Sequence, residues 1–169
     1  IDTKKIDPIT KSFDPSINTA IWSKRDNNIY FVTTDKDYVN IYKYYPSNKT
    51  FSKLLLDEDL IQSFTLAKGN DVAIYYGVSP QNSTRAYLFD LKNERSTLIA
   101  DPFSETLSKI TLGEFGDWNF TSSAGVEIKG SYYLPPDFDA SKKYPMIVYY
   151  YGGTSPTSRR FEGHYPPNV

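Results

Sequence analysis

Apolar and polar residues follow one another along the chain in an order that occurs twice. Residues 21–55 and residues 64–99 each predict a short strand, a charged turn, an apolar strand, a loop, a second apolar strand, a polar turn and a last strand. Corresponding positions lie 43 to 46 residues apart. Four strands per repeat of about 40–45 residues is typical of a β-propeller blade. A plain β-sandwich of about eight strands shares much of this pattern and is the alternative.

Two of the predicted strands are apolar on both faces. Residues 72–76 and 86–89 contain no charged side chain, whereas a strand with one solvated face alternates apolar and polar residues. We therefore expect sheets that are covered on both sides. Two blades do not close a ring that typically needs about four to eight. The isolated chain should then expose aromatic blade faces and associate with itself through them.

Composition supports a β-rich fold and excludes several classes of function. The chain has 15 Tyr, 10 Phe and 2 Trp against 7 Ala and 11 Leu, and aromatic residues favour strands over helices. The absence of cysteine excludes a disulfide framework, a cysteine-ligated zinc site and a thiol nucleophile. A net charge of -1 argues against nucleic acid as a partner. The longest apolar run, residues 146–151, is too short for a membrane span.

The C-terminal third changes character. Residues 104–110 predict a helical turn that Ser104 caps, within a linker. Residues 117–121 and 126–134 predict strands, and Pro135-Pro136 ends the second. The continuous apolar run of residues 146–151 predicts a central strand buried on both faces, which Gly152-Gly153 stops.

Few residues suggest chemistry by themselves. Residues 153–157 come nearest to the Gly-x-Ser-x-Gly nucleophile motif but lack its second glycine. The single histidine, His164, has no partner at triad or metal-ligand spacing and is interpreted as a loop residue. The acidic run at 57–59 predicts a solvated turn between blades rather than a calcium site. Arg159 and Arg160 predict a surface pair. We expect no metal or cofactor and no complete catalytic site in these 169 residues.

One segment carries a more specific pattern, residues 134–156, together with a short lead-in. Its pieces are Leu134-Pro135-Pro136, Phe138, Lys142-Lys143-Tyr144-Pro145 and Tyr151-Gly152-Gly153, preceded by Trp118-Asn119-Phe120 and Gly125. This phrase resembles the prolyl oligopeptidase / dipeptidyl peptidase IV family of serine peptidases, in which a similar phrase opens the α/β-hydrolase domain. Members of that family place a β-propeller before the hydrolase domain, which agrees with the repeat upstream.

The resemblance implies an internal fragment of a longer enzyme. We expect a mainly β chain: two β-propeller-like four-stranded blades followed by the first strands of an α/β-hydrolase domain. Residues 1–13 would be a tail or edge segment, 14–103 the C-terminal blades, 104–113 a linker and 114–169 the N-terminal part of the peptidase domain. The catalytic Ser, Asp and His of the family have no counterpart in the chain, so we expect it to be inactive alone.

The resemblance also assigns one site residue and a substrate class. Tyr151 matches the tyrosine whose hydroxyl stabilises the oxyanion in the family. Its place at the end of a predicted buried strand suits that role, because ligand sites of α/β sheets lie beyond the carboxyl ends of strands. The parent would hydrolyse short peptides, after Pro or Ala. The family also favours export or a periplasmic location. The alternative is a non-catalytic β-rich binding module for a glycan or a protein partner.

Overall fold

The structure, a computed structural model, describes residues 6–69, 71–150 and 159–161. It is mainly β, as the sequence predicts. Its elements in chain order are β1 (Ser16–Trp22), β2 (Ile29–Asp35), β3 (Tyr38–Tyr45), β4 (Thr50–Lys53), β5 (Leu60–Leu66), β6 (Val72–Ser79), β7 (Asn82–Asp90), β8 (Arg95–Ala100), α1 (Ser104–Leu107), β9 (Phe115–Thr121) and β10 (Glu127–Tyr133).

The first eight strands form two four-stranded antiparallel units. In the first unit, β1 to β4, each strand pairs with the next along the chain, and the second unit, β5 to β8, repeats this order. The predicted repeat of four strands is therefore confirmed. Equivalent turns share a detail as well. Lys49 and Glu94, each directly before the fourth strand of its unit, have φ of 58° and 50°, a left-handed conformation that closes a tight turn.

The two units meet edge to edge and share one apolar core. Val39 of β3 is paired in parallel with Leu60 of β5, and the Val39 amide donates to the Asp59 carbonyl at 3.0 Å. The Tyr30 ring stacks on Phe64 across the units, with 5.7 Å between ring centroids. The core residues are Tyr30, Ile41 and Leu54 of the first unit and Ile61, Phe64, Ala73, Tyr75, Tyr87 and Phe89 of the second.

The outward faces of the two units differ. On the first unit, Phe13 packs on Phe31, Tyr42 and Phe51 and so covers that face. On the second unit the outward residues Ile74, Tyr76 and Leu88 are exposed. The second unit is therefore not covered on both sides in this chain, because no described element packs on its outward face. This agrees with the expectation that the chain alone exposes a blade face.

The C-terminal third agrees with the sequence in part. Strands β9 and β10 form a two-stranded antiparallel hairpin, at the two places predicted. The helical turn is also present, as α1. Ser104 does not cap it: Phe103 holds the N-cap position, and the Ser104 hydroxyl donates to the Asp101 carbonyl at 2.9 Å.

Residues 146–150 form no strand, which overturns the prediction of a buried central strand for this run. Their side chains are between 68% and 86% exposed. A strand needs neighbours that take up its backbone N–H and C=O groups. The described residues of the C-terminal third supply only β9 and β10, which pair with each other. The start of an α/β-hydrolase sheet thus stays a prediction. No helix among the described residues is long and apolar enough to span a membrane.

Candidate functional site

The predicted oxyanion donor, Tyr151, lies outside the described residues, as do Gly152-Gly153 and the loop histidine His164. The role of Tyr151 therefore stays a prediction. Within the described part of the chain, polar side chains converge most densely around Arg159. They connect both β-units with the C-terminal hairpin.

Arg159 is buried among three carboxylates. Its side chain is only 8% exposed. Its Nε donates to Asp59 Oδ2 at 2.7 Å, and its Nη1 donates to Asp117 Oδ1 at 2.7 Å and to Asp37 Oδ2 at 3.2 Å. Charge-assisted hydrogen bonds from a guanidinium fork to carboxylates are among the strongest that proteins make.

The three carboxylates come from three parts of the chain. Asp37 lies in the turn between β2 and β3, Asp59 directly precedes β5, and Asp117 lies in β9. Tyr38, the first residue of β3, has its ring centroid 4.3 Å from the guanidinium carbon of Arg159, and Phe115 of β9 has its ring centroid at 5.0 Å. Aromatic faces attract cations at such distances. We name these six residues the Arg159 junction.

The electrostatics of the Arg159 junction keep Arg159 charged. Burial by itself would lower the pKa of its guanidinium, but hydrogen bonds to Asp59, Asp117 and Asp37 outweigh burial and hold the pKa above its ordinary value. Burial raises the pKa of the Tyr38 hydroxyl, against the opposing effect of Arg159. Because a cationic side chain occupies the point where the carboxylates meet, the junction is an ion-pair site. In the described residues no group of acidic or histidine side chains is placed to hold a metal ion.

Sequence reasoning missed this site. The predicted surface pair is wrong for Arg159 and holds for Arg160, which is exposed. The partners of Arg159 lie 42, 100 and 122 positions away along the chain. No local pattern contains that information. The neighbouring sequence does not indicate that Arg159 is buried either, although Phe161 follows two residues later.

A small cavity of about 160 Å³ adjoins the Arg159 junction and shares Tyr38 and Asp59 with it. Glu58 lines it and is only 5% exposed, so the prediction that residues 57–59 form a solvated turn is wrong for Glu58. Burial raises the pKa of Glu58, partly offset by the Tyr87 hydroxyl, which donates to Glu58 Oε1 at 2.7 Å. Among the described residues, neither Glu58 Oε2 nor Asn40 Nδ2 has a hydrogen-bond partner.

The Asp57 carboxylate also makes a side-chain hydrogen bond. The Tyr75 hydroxyl contacts Asp57 Oδ2 at 3.3 Å and Ser96 Oγ at 2.8 Å, which connects the loop between the two units to the last strand of the second. Burial is the main cause that raises the pKa of Tyr75 to about 12. In the loop from 54 to 59, Leu54 and Glu58 are thus buried between the units, while Leu55 and Asp57 are exposed.

Known proteins resemble this chain in sequence and in fold, although no family model matches it. A curated relative, dipeptidyl-peptidase 5 of Porphyromonas gingivalis, is 24% identical over 160 residues, which cover 94% of this chain and 23% of the relative. The AtxE2 isopeptidase with Astexin3-dC4 bound matches with a TM-score of 0.70 and 18% identity, over 86% of this chain and 22% of that one. For the acylaminoacyl peptidase of Pyrococcus horikoshii the TM-score is 0.64 and the identity 19%, over 83% and 21%.

These comparisons confirm the resemblance to peptidases of the prolyl oligopeptidase / dipeptidyl peptidase IV family. The curated relative carries it at the level of sequence, and the two solved structures share the fold. The chain spans less than a quarter of the length of each of these proteins.

Proposed function

We propose that this chain, which resembles peptidases of the prolyl oligopeptidase / dipeptidyl peptidase IV family over nearly all of its length, is a segment of a serine-type peptidase. The observation that carries the proposal is the match of 160 residues with dipeptidyl-peptidase 5, which runs through both β-units and the C-terminal third. The phrase at residues 134–156, which lies within the length of that match, adds a specific motif. The binding-module alternative does not account for this phrase.

The proposed architecture follows from the two units. Residues 14–103 would be the last blades of a β-propeller and residues 114–169 the first part of an α/β-hydrolase domain. In support, each unit has four antiparallel strands. The two units join edge to edge in one eight-stranded sheet and share an aromatic core. The exposed outward face of the second unit, with Ile74, Tyr76 and Leu88, is the kind of surface that a neighbouring blade covers.

The proposed reaction is hydrolysis of short peptides after Pro or Ala through an acyl-enzyme. Tyr151 would donate its hydroxyl to the oxyanion of the tetrahedral intermediate. A preorganised donor of this kind is worth about 3–4 kcal/mol of transition-state stabilisation. The nucleophile and its base would belong to other parts of the parent protein, and the propeller would admit only short or unfolded peptides.

Activity-based labelling tests the proposal. A lysate of the source cells is treated with a biotinylated fluorophosphonate, and the enriched proteins are digested with trypsin. Cleavage by trypsin after Lys143 and after Arg159 releases the peptide of residues 144–159. We expect this peptide on a protein several times larger than 19.3 kDa. Recovery of that peptide only from unlabelled material at small mass would contradict the proposal. It would leave the glycan- or protein-binding module as the better hypothesis.

The isolated chain provides a second test. We expect the purified 169 residues to hydrolyse no Gly-Pro chromogenic amide, because the acyl-transfer groups of the family have no counterpart here. Turnover that survives re-purification would show that this chain contains a nucleophile of its own.

A further inference from the structure

We propose that Arg159 is a positioning residue that fixes the C-terminal hairpin, β9 with β10, in one orientation on the two β-units. This role does not require Arg159 to touch substrate.

The hairpin depends on contacts outside itself. Its two strands pair with each other and with no further strand among the described residues, and most of their side chains are exposed. An isolated two-stranded hairpin is at best marginally stable in water. Through Asp117 and Phe115, Arg159 supplies an ion pair and a ring contact to β9. Beside the hairpin, Gln81 of the second unit also donates to the Gly113 carbonyl at 3.0 Å.

Arg159 connects the hairpin to both units at once. It reaches the first unit through Asp37 and Tyr38, and the start of the second unit through Asp59. Asp59 also joins the units through its backbone, because its carbonyl accepts from the amide of Val39, the residue after Tyr38. The Arg159 guanidinium thus bonds to groups on the first unit, on the second unit and on the hairpin, at the point where these three parts meet.

The chemistry of this contact requires arginine. A guanidinium offers five donors in a planar fork and stacks on aromatic rings, whereas a lysine ammonium is a compact point charge. At Arg159 both properties are used, because Nε and Nη1 bond to different carboxylates while the planar group lies near two rings. If Arg159 is neutralised, Asp37, Asp59 and Asp117 remain close together with no cation between them. Their mutual repulsion then favours release of the hairpin, whose carboxylate is the most exposed of the three.

Hydrogen exchange on the chain tests the proposal. We expect Arg159→Gln to speed exchange of the β9 and β10 amides by about tenfold or more, while the amides of β2, β3, β6 and β7 keep their rates. Arg160→Gln is the matched control, because Arg160 is adjacent to Arg159, carries the same charge and is exposed. Asp117→Asn removes one partner from the hairpin side at a half-exposed position and should give a smaller increase in the same amides. Arg159→Lys should fall between the wild type and Arg159→Gln.

Two results would overturn the proposal. Unchanged exchange in the hairpin of both Arg159→Gln and Asp117→Asn would show that other contacts hold it. Faster exchange throughout both β-units would show that Arg159 supports the whole fold and has no specific role at the hairpin.

Discussion

Replacing Asp26 by asparagine tests how far the turn before β2 stabilises the core. The Asp26 carboxylate accepts hydrogen bonds from the Asn28 amide at 3.2 Å, from Asn28 Nδ2 at 2.8 Å and from the Tyr30 hydroxyl at 2.9 Å. The ammonium of Lys43 lies 3.6 Å away. Because Tyr30 is a fully buried core residue, this carboxylate connects a surface turn directly to the shared core.

The size of the effect follows from the pKa of Asp26. Burial alone would raise this pKa, but hydrogen bonds, first from Asn28 and Ser23, outweigh burial and lower it from 3.8 to about 2. A pKa depressed in the folded state contributes stability that is present above the unfolded value and is lost as pH falls through the folded one. The shift corresponds to at most about 2 kcal/mol of unfolding free energy at neutral pH. Partial exposure of the side chain, 29%, reduces it somewhat.

Urea unfolding at a series of pH values measures this contribution. At about pH 7 we expect Asp26→Asn to lower the free energy of unfolding by about 1–2 kcal/mol, and about half of that difference should be gone by about pH 3. Asp14→Asn, at an exposed position outside the strands, is the control and should change stability little at any pH. A difference between wild type and Asp26→Asn that stays constant from neutral to acidic pH would refute the reasoning. The loss of unfolding free energy would then come from the changed shape of the side chain and not from the loss of its charge.

Three other substitutions test other parts of the molecule. Glu58→Gln should raise the melting temperature at about pH 8 and match the wild type at about pH 4, because burial raises the pKa of Glu58 and its charged form opposes folding above that pKa; a destabilised variant at alkaline pH would contradict this. Phe64→Ala should cost about 3–5 kcal/mol by denaturant unfolding, since the ring is buried against Tyr30, whereas the exposed Phe120 replaced by Ala should cost far less. In the full-length protein, Tyr151→Phe should lower kcat about 10²–10³-fold with KM little changed; an unaltered kcat would remove Tyr151 from the proposed oxyanion hole.

The parts of the fold that the sequence predicts are those with local causes. The turns around residues 24–28 and 92–96 are polar segments between apolar runs, and each connects neighbouring antiparallel strands. Turn chemistry and strand patterning operate over a few residues, so one repeat is enough to detect them. The hairpin of β9 and β10 was predictable for the same reason.

The parts that the sequence does not predict depend on distant partners. The burial of Arg159 requires Asp37 and Asp59, from two different units, to approach the same point. Likewise, the apolar run that begins at Met146 has the composition of a buried strand, yet a strand forms only where neighbours accept its hydrogen bonds. The composition of this run indicates that it would form a strand beside partner strands. No such partner strand is among the described residues.

The aromatic contact between Tyr30 and Phe64 has a consequence for how this chain folds. Because the core takes three residues from the first four-stranded unit and six from the second, neither unit alone has a complete core. A sheet of this size without a complete core is not stable. The repeat seen in the sequence is therefore not the cooperative unit of folding. A break in the connection after Leu54 would leave two chains that are each unstructured and that become ordered only in each other's presence.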